Sequence, residues 1–88
     1  INAAAYTAVD KAETETKLAH TINAEAVAVF ASIAKNKNIP FITYSTDYVF
    51  SGNATSPYTT DTPLAPINFY GQTKADGELM ALIRMPLL

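Results

Sequence analysis

Between residues 10 and 36 apolar side chains recur at three- and four-residue spacing. Leu18, Ile22, Ala26, Val29, Phe30 and Ile33 share one side of the predicted helix and form its expected core face. Glu13, Glu15, Lys17, Lys35 and Lys37 fall on the opposite, wet side, with acid early and base late as the helix dipole prefers. Asn36-Lys37-Asn38 supplies a stop and Pro40 bars continuation. The pattern leaves room for a break at Asp10 or at Thr14-Glu15-Thr16. Residues 41–45, Phe-Ile-Thr-Tyr-Ser, are β-rich and short and read as a strand. Ile1-Asn2 reads as the end of an earlier strand, followed by the small-residue corner Ala3-Ala4-Ala5. Strand, helix, strand at this spacing is a βαβ unit with a parallel sheet and a right-handed crossover. Residues 47–67 carry the turn Ser51-Gly52-Asn53 and Pro57, Pro63 and Pro66, and are expected to be mostly loop. Asn68 is placed to cap a last helix over residues 69–82.

Composition narrows the class. With 88 residues, 49% apolar and 16% charged, the chain has the make-up of one globular unit. Six Lys and Arg, scattered along the chain, against eight Asp and Glu give a formal charge of −2, which argues against a nucleic-acid or polybasic membrane surface. There is no cysteine and one histidine, so disulfide scaffolds, Cys-ligated metals and multi-His sites are excluded. The least polar stretch, residues 26–34, is far short of a membrane span. No basic-then-apolar leader opens the chain, and the expectation is a soluble, cytoplasmic protein. The opening Ile1-Asn2-Ala3 without Met, and the apolar run 84–88 following a helix without a turn signal, are expected of a piece of a longer chain.

In an open parallel α/β sheet, ligands sit at the carboxyl ends of the strands. Both predicted strand ends, residues 2–5 and Ser45-Thr46-Asp47, open on one edge. Tyr70 and Lys74, four apart at the start of a helix, share a face. A phenol is a poor proton donor or base at neutral pH, and a nearby ammonium favours its ionised form, so the pair is suited to proton transfer at a carbonyl oxygen. The same spacing also arises by chance, with a tyrosine at the edge of the core and a lysine whose head snorkels into water. His20 reads as a helix-surface residue, Asp61 and Asp76 as solvated and Tyr58 as loop packing. Asn23, unfavourable in mid-helix, either bonds backbone near the site or is merely tolerated.

The order of parts is more specific than any one of them. In Asn2-Ala3-Ala4-Ala5-Tyr6-Thr7-Ala8-Val9-Asp10-Lys11-Ala12-Glu13, in Tyr44-Ser45-Thr46-Asp47-Tyr48-Val49-Phe50 with Gly52, and in Pro66-Ile67-Asn68-Phe69-Tyr70-Gly71-Gln72-Thr73-Lys74 with Gly77-Glu78, the chain resembles the extended short-chain dehydrogenases/reductases. Among these it is similar to the dTDP-4-dehydrorhamnose reductase family. The resemblance covers nearly the whole chain, and residues 84–88 resemble the strand that follows a loop after the Tyr-Lys helix.

The resemblance implies an α/β fold, a Rossmann-like doubly wound parallel sheet. Residues 1–88 are then the central part of a NAD(P)-binding domain, with its glycine-rich turn and the C-terminal substrate domain outside them. It implies NADPH or NADH as cofactor and reduction of the C4 keto group of a dTDP-linked 4-keto-6-deoxysugar to dTDP-L-rhamnose. Thr46, Tyr70 and Lys74 match the catalytic trio. Ala3, Ala4, Ala5, Tyr6, Thr7, Tyr44 and Ser45, with Tyr70 and Lys74, match cofactor contacts. Val9, Thr46, Asp47 and Tyr48 match sugar-nucleotide contacts. No metal ligand is expected within these residues, and Mg2+, where the family uses it, is held elsewhere. A homodimer is compatible with the resemblance, and the sequence itself does not set the oligomeric state. The rivals are a regulatory subunit of the same fold, like the β subunit of methionine adenosyltransferase, and a sugar-nucleotide epimerase or dehydratase. Thr46 favours the reductase over the first; Tyr48, where a dehydratase prefers an acid, and the pattern from Thr46 to Phe50, which epimerases usually lack, favour it over the second.

Overall fold

A computed structural model of the chain describes residues 1–53 and 56–84. The apolar run expected to open a strand lies, after Arg84, outside the described residues. Arg84 itself ends a helix.

The long helical pattern is divided. A 3₁₀ turn, Lys11–Glu13, is followed by a break at Thr14 and Glu15. Helix α1 (Thr16–His20) then passes through a π-helical turn (Thr21–Glu25) into α2 (Ala26–Asn36). The stop at Asn36-Lys37-Asn38 takes the form of a Schellman motif. Asn38 adopts φ 55°, its N–H bonds the Lys35 carbonyl at 3.2 Å, and the Ile39 N–H bonds the Ala34 carbonyl at 2.9 Å. Asparagine tolerates the left-handed conformation better than most residues, and it stands where that conformation is required.

The predicted strands meet at one parallel bridge, Asn2 to Thr43. The Asn2 N–H donates to the Ile42 carbonyl at 2.7 Å, and its side-chain amide donates to the Thr43 hydroxyl at 3.1 Å. Parallel pairing of the two segments around the intervening helices is therefore present, in a form much shorter than the strands expected from composition. Residues 47–67 contain a 3₁₀ turn, Asp47–Val49, and the Ala65 N–H returns to the Val49 carbonyl at 2.8 Å. Phe50 and Tyr58 stack at 4.4 Å, the packing role expected of Tyr58.

Helix α3 (Phe69–Arg84) is two residues longer than its predicted end at residue 82. Asn68 caps it, its side-chain oxygen accepting the Gly71 N–H at 2.7 Å. The Glu13 carboxylate accepts the Phe69 N–H at 2.6 Å, so a second exposed helix donor is met from 56 residues away. Glu13 and Glu15 were expected only on a wet face. Instead Glu13 ties the 3₁₀ turn to α3, and Glu15 accepts the Tyr6 hydroxyl at 2.7 Å.

The core face also differs from the expected one. Ala12, Ala19, Ala24, Val27, Ala31 and Ala34 are buried, while Leu18, Val29, Phe30 and Ile33 are exposed, Phe30 by 45%. Two features of the chain explain this. The break and the π turn rotate the register between residues 16 and 26, so one stripe cannot run through the whole segment. And α3 presents Thr73, Ala75 and Gly77, small groups that let its backbone close on other small groups. A methyl added at Gly77 would strike the Asn23 carbonyl oxygen.

Candidate active site

Helix α3 lies between two partners and carries one set of groups toward each. Tyr70, Gly71, Lys74 and Glu78 meet the segment that leaves the second strand. The Lys74 ammonium donates to the Tyr44 carbonyl at 2.8 Å, and Glu78 accepts the Ser45 hydroxyl at 2.6 Å. The rings of Tyr70 and Tyr48 meet edge to face, 5.7 Å apart. A methyl at Gly71 would collide with the Tyr48 carbonyl oxygen, so glycine sets how near the helix start comes to residue 48.

Toward the other side, Thr73 is fully buried and donates its hydroxyl to the Tyr70 carbonyl at 2.7 Å. It accepts from the Asn23 amide at 3.0 Å. The same amide donates to the Tyr6 carbonyl at 3.0 Å, and the Asn23 side-chain oxygen accepts the Tyr6 N–H at 2.9 Å. Asn23, on the π turn, thus grips both backbone groups of Tyr6 and joins the corner after the first strand to α3. The choice left open for Asn23 is resolved in favour of the backbone bond. Its position in mid-helix was the signal, since a buried amide there needs partners that the helix itself does not supply.

Burial removes the snorkelling expectation for Lys74. The residue is 8% exposed and its ammonium faces a carbonyl, so it does not snorkel. Burial holds its pKa below the usual lysine value, and the Glu78 charge acts in the opposite sense. Tyr70 is 7% exposed and packs with Ala12 and Ala19, flanked by Tyr6, Val9 and Phe69. The Tyr6 phenol is held protonated: its bond to Glu15 first, then burial, push its pKa up to about 12.

The residues expected at the site are brought to α3 in part and from two sides. Tyr44, Ser45 and Tyr48 contact α3 directly, and Tyr6 and Val9 pack beside Tyr70. The Thr46 hydroxyl accepts the Tyr48 N–H at 3.3 Å and lies 3.4 Å from the Asp47 carboxylate, so it is engaged with its own turn. Ala3, Ala4, Ala5, Thr7 and Asp47 are exposed. The corner at residues 3–5 is thus lined by methyl groups on a backbone that Asn23 anchors at Tyr6. His20 is half-buried, between Glu25 at 3.6 Å and Asp76 at 3.7 Å, and Asp76 also accepts the Gln72 amide at 2.9 Å. Neither is the free surface group expected. An open concavity of about 510 Å³ lined by Thr16, Lys17, His20, Thr21, Glu25 and Phe69 holds none of the expected site residues. Among the described residues no helix is long and apolar enough to cross a membrane.

A parallel bridge enclosing helices, with the buried Tyr70 and Lys74 of α3 against the segment after Thr43, is an α/β arrangement. Residues 1–86 match the RmlD substrate binding domain family, and the chain belongs to it. It is 51% identical over 79 residues to the dTDP-4-dehydrorhamnose reductase of Burkholderia thailandensis, covering 90% of this chain and 26% of that protein. The crystal structure of a dTDP-4-dehydrorhamnose reductase from Clostridium acetobutylicum superposes with a TM-score of 0.94 at 40% identity, over 97% of this chain and 30% of that one. The dTDP-4-dehydrorhamnose reductase of Bacillus anthracis, solved in complex with NADP, gives 0.87 at 40% identity over 90% of this chain and 28% of that one. The chain spans less than a third of the length of these relatives.

Proposed function

We propose that residues 1–88 are the central part of the NAD(P)-binding, Rossmann-like domain of a cytoplasmic dTDP-4-dehydrorhamnose reductase. In this reading the doubly wound parallel sheet continues outside these residues. The observation that carries the proposal is the buried Lys74 ammonium on the Tyr44 carbonyl, one helical turn from a buried Tyr70 and beside the strand end that bears Thr46. The named relatives, one of them holding NADP, supply the reaction class.

The residues present suit a dinucleotide. Residues 3–5 are exposed and carry only methyl side chains, which admits a bulky group. The Lys74 ammonium has three protons and uses one on Tyr44, leaving donors for ribose hydroxyls. Ala3, Ala4, Ala5, Tyr6, Thr7, Tyr44 and Ser45 would line the cofactor with Tyr70 and Lys74, and Val9, Thr46, Asp47 and Tyr48 would face the dTDP-sugar. When bound, NADPH supplies the hydride that turns the C4 carbonyl into an alkoxide.

The chain's part is to meet that negative charge. Tyr70 gives its phenolic proton to the oxygen, and the Thr46 hydroxyl turns from its own turn to hydrogen-bond the same oxygen. Lys74, kept cationic and fixed, stabilises the phenolate left behind. The packing of Tyr70 on Ala12 and Ala19 excludes water from one side of the ring.

The test is Tyr70→Phe in the full-length protein. Turnover of NADPH with the dTDP-keto-sugar is expected to fall by about 10²–10⁴ with cofactor affinity little changed. Normal turnover would remove Tyr70 from the acid role, and binding of the sugar nucleotide without turnover in the unmutated protein would favour a regulatory subunit.

A further inference from the structure

Thr73 lies within α3, directly before Lys74, and has no exposed surface. Threonine is a weak helix former, and a hydroxyl bonded back to the preceding turn tends to bend a helix, so helix stability does not account for it. A buried hydroxyl also costs free energy unless it is bonded. Its bonds show what it does. The hydroxyl has a single proton, and that proton goes to the Tyr70 carbonyl at 2.7 Å. Toward Asn23 the oxygen can then only accept, and it accepts from the side-chain amide at 3.0 Å.

This fixes which way round the Asn23 amide sits. With Nδ2 turned to Thr73, the same nitrogen donates to the Tyr6 carbonyl at 3.0 Å, and the side-chain oxygen takes the Tyr6 N–H at 2.9 Å. Turned over, the amide would set its oxygen against the Thr73 and Tyr6 oxygens and its NH2 against the Tyr6 N–H. All of its bonds would be lost together.

We infer that Thr73 is a positioning residue: its hydroxyl holds the Asn23 amide in the one orientation that grips the Tyr6 backbone, and so fixes the corner after Asn2 against the helix that carries Tyr70 and Lys74. Every link is a direct hydrogen bond, from the Tyr70 carbonyl through Thr73 and Asn23 to Tyr6. The meaning for cofactor binding rests on the reductase reading, in which residues 3–7 line the cofactor; the orientation of Asn23 does not.

Two variants separate the hydroxyl from the rest of the side chain. Thr73→Val keeps the size and branching and leaves one Asn23 N–H buried without an acceptor. Thr73→Ser keeps the hydroxyl and loses the methyl. The experiment is hydrogen exchange read by NMR on the full-length protein and both variants. In Thr73→Val the Tyr6 N–H is expected to exchange faster by about tenfold or more. The Asn38 and Ile39 N–H groups, bonded at the far end of α2, should keep their rates and serve as references for general loosening. In keto-sugar reduction the KM for NADPH should rise while kcat at saturating cofactor changes little, and Thr73→Ser should restore both the KM and the Tyr6 rate.

A Thr73 that only fills space would move all three N–H groups together, and that result overturns the inference. So does a Thr73→Ser variant that behaves as Thr73→Val. Faster Tyr6 exchange with an unchanged KM overturns the extension to the cofactor. Faster Tyr6 exchange in a protein that never reduces the sugar supports the role of Thr73 and removes the reductase reading. If Thr73→Val fails to fold, the parent protein carries the test: both Asn23 side-chain amide protons must exchange more slowly than those of the exposed Asn36, and equal rates overturn the inference.

Discussion

Asn23 is 2% exposed and spends its side chain on Tyr6 N–H, Tyr6 carbonyl and the Thr73 hydroxyl. Replacing it by Ala would orphan both Tyr6 backbone groups in a part-buried place. The expected loss is about 1–3 kcal/mol, seen as a lower denaturation midpoint with unchanged slope. Asn23→Asp keeps an acceptor for the N–H but presents a carboxylate to the Tyr6 carbonyl, so it should be no better than Ala at neutral pH. An Asp variant as stable as the original would mean that the Tyr6 carbonyl bond contributes nothing. The sequence carried a warning about Asn23 and no indication of its partners. A polar residue in mid-helix says that some bond is needed; which one depends on a π turn and on a segment 17 residues away. Lys74 shows the same division. Its spacing from Tyr70 was legible, but its burial was not, because the carbonyl that holds its ammonium belongs to Tyr44, outside the helix.

Local signals located the ends of the elements well. Asn68 next to a helical run and Asn38 after one are short-range features, and the caps stand where those residues are. Glu13 on Phe69 was illegible, because the donor and acceptor are 56 residues apart and only the fold joins them. Both caps act on the start of the helix that carries Tyr70. Asn68→Ala and Glu13→Ala are each expected to cost about 0.5–2 kcal/mol in thermal or chemical unfolding. Glu13→Gln, which retains an acceptor and loses the charge at the positive helix end, should fall between Glu13→Ala and the parent. If Glu13→Ala is neutral, the carboxylate is merely near the terminus. Residues 41–45 teach the converse lesson. Their composition is that of a strand, but a strand is made by pairing, and the pairing described is one bridge.

At the scale of the whole molecule, the sequence identified an apolar stripe and misplaced the core on it. The body is 17 Å thick in its thinnest direction, room for little more than one helix against its neighbour, so depth comes from close approach of backbones. Alanines at 12, 19, 24, 31 and 34 and glycines at 71 and 77 permit that approach, and the larger residues beside them are turned outward. Hydrophobic periodicity ranks residues by transfer energy, and Leu or Phe outranks Ala; it contains no information about which side must be thin. The order of sensitivity to mutation is therefore inverted from the usual one. Ala19 has no exposed surface and packs with Ala12 against Tyr70, so Ala19→Leu adds apolar surface yet should destabilise by about 1–3 kcal/mol by overpacking. Leu18, its neighbour, is 47% exposed, and Leu18→Ala should cost under about 1 kcal/mol within residues 1–88. Because Ala19 and Tyr70 share that cluster, the proposed reductase role predicts that the Leu variant also lowers turnover in the full-length protein while cofactor affinity holds. A Leu18→Ala variant that loses more stability than Ala19→Leu would show that the thin alanine face does not hold this body together.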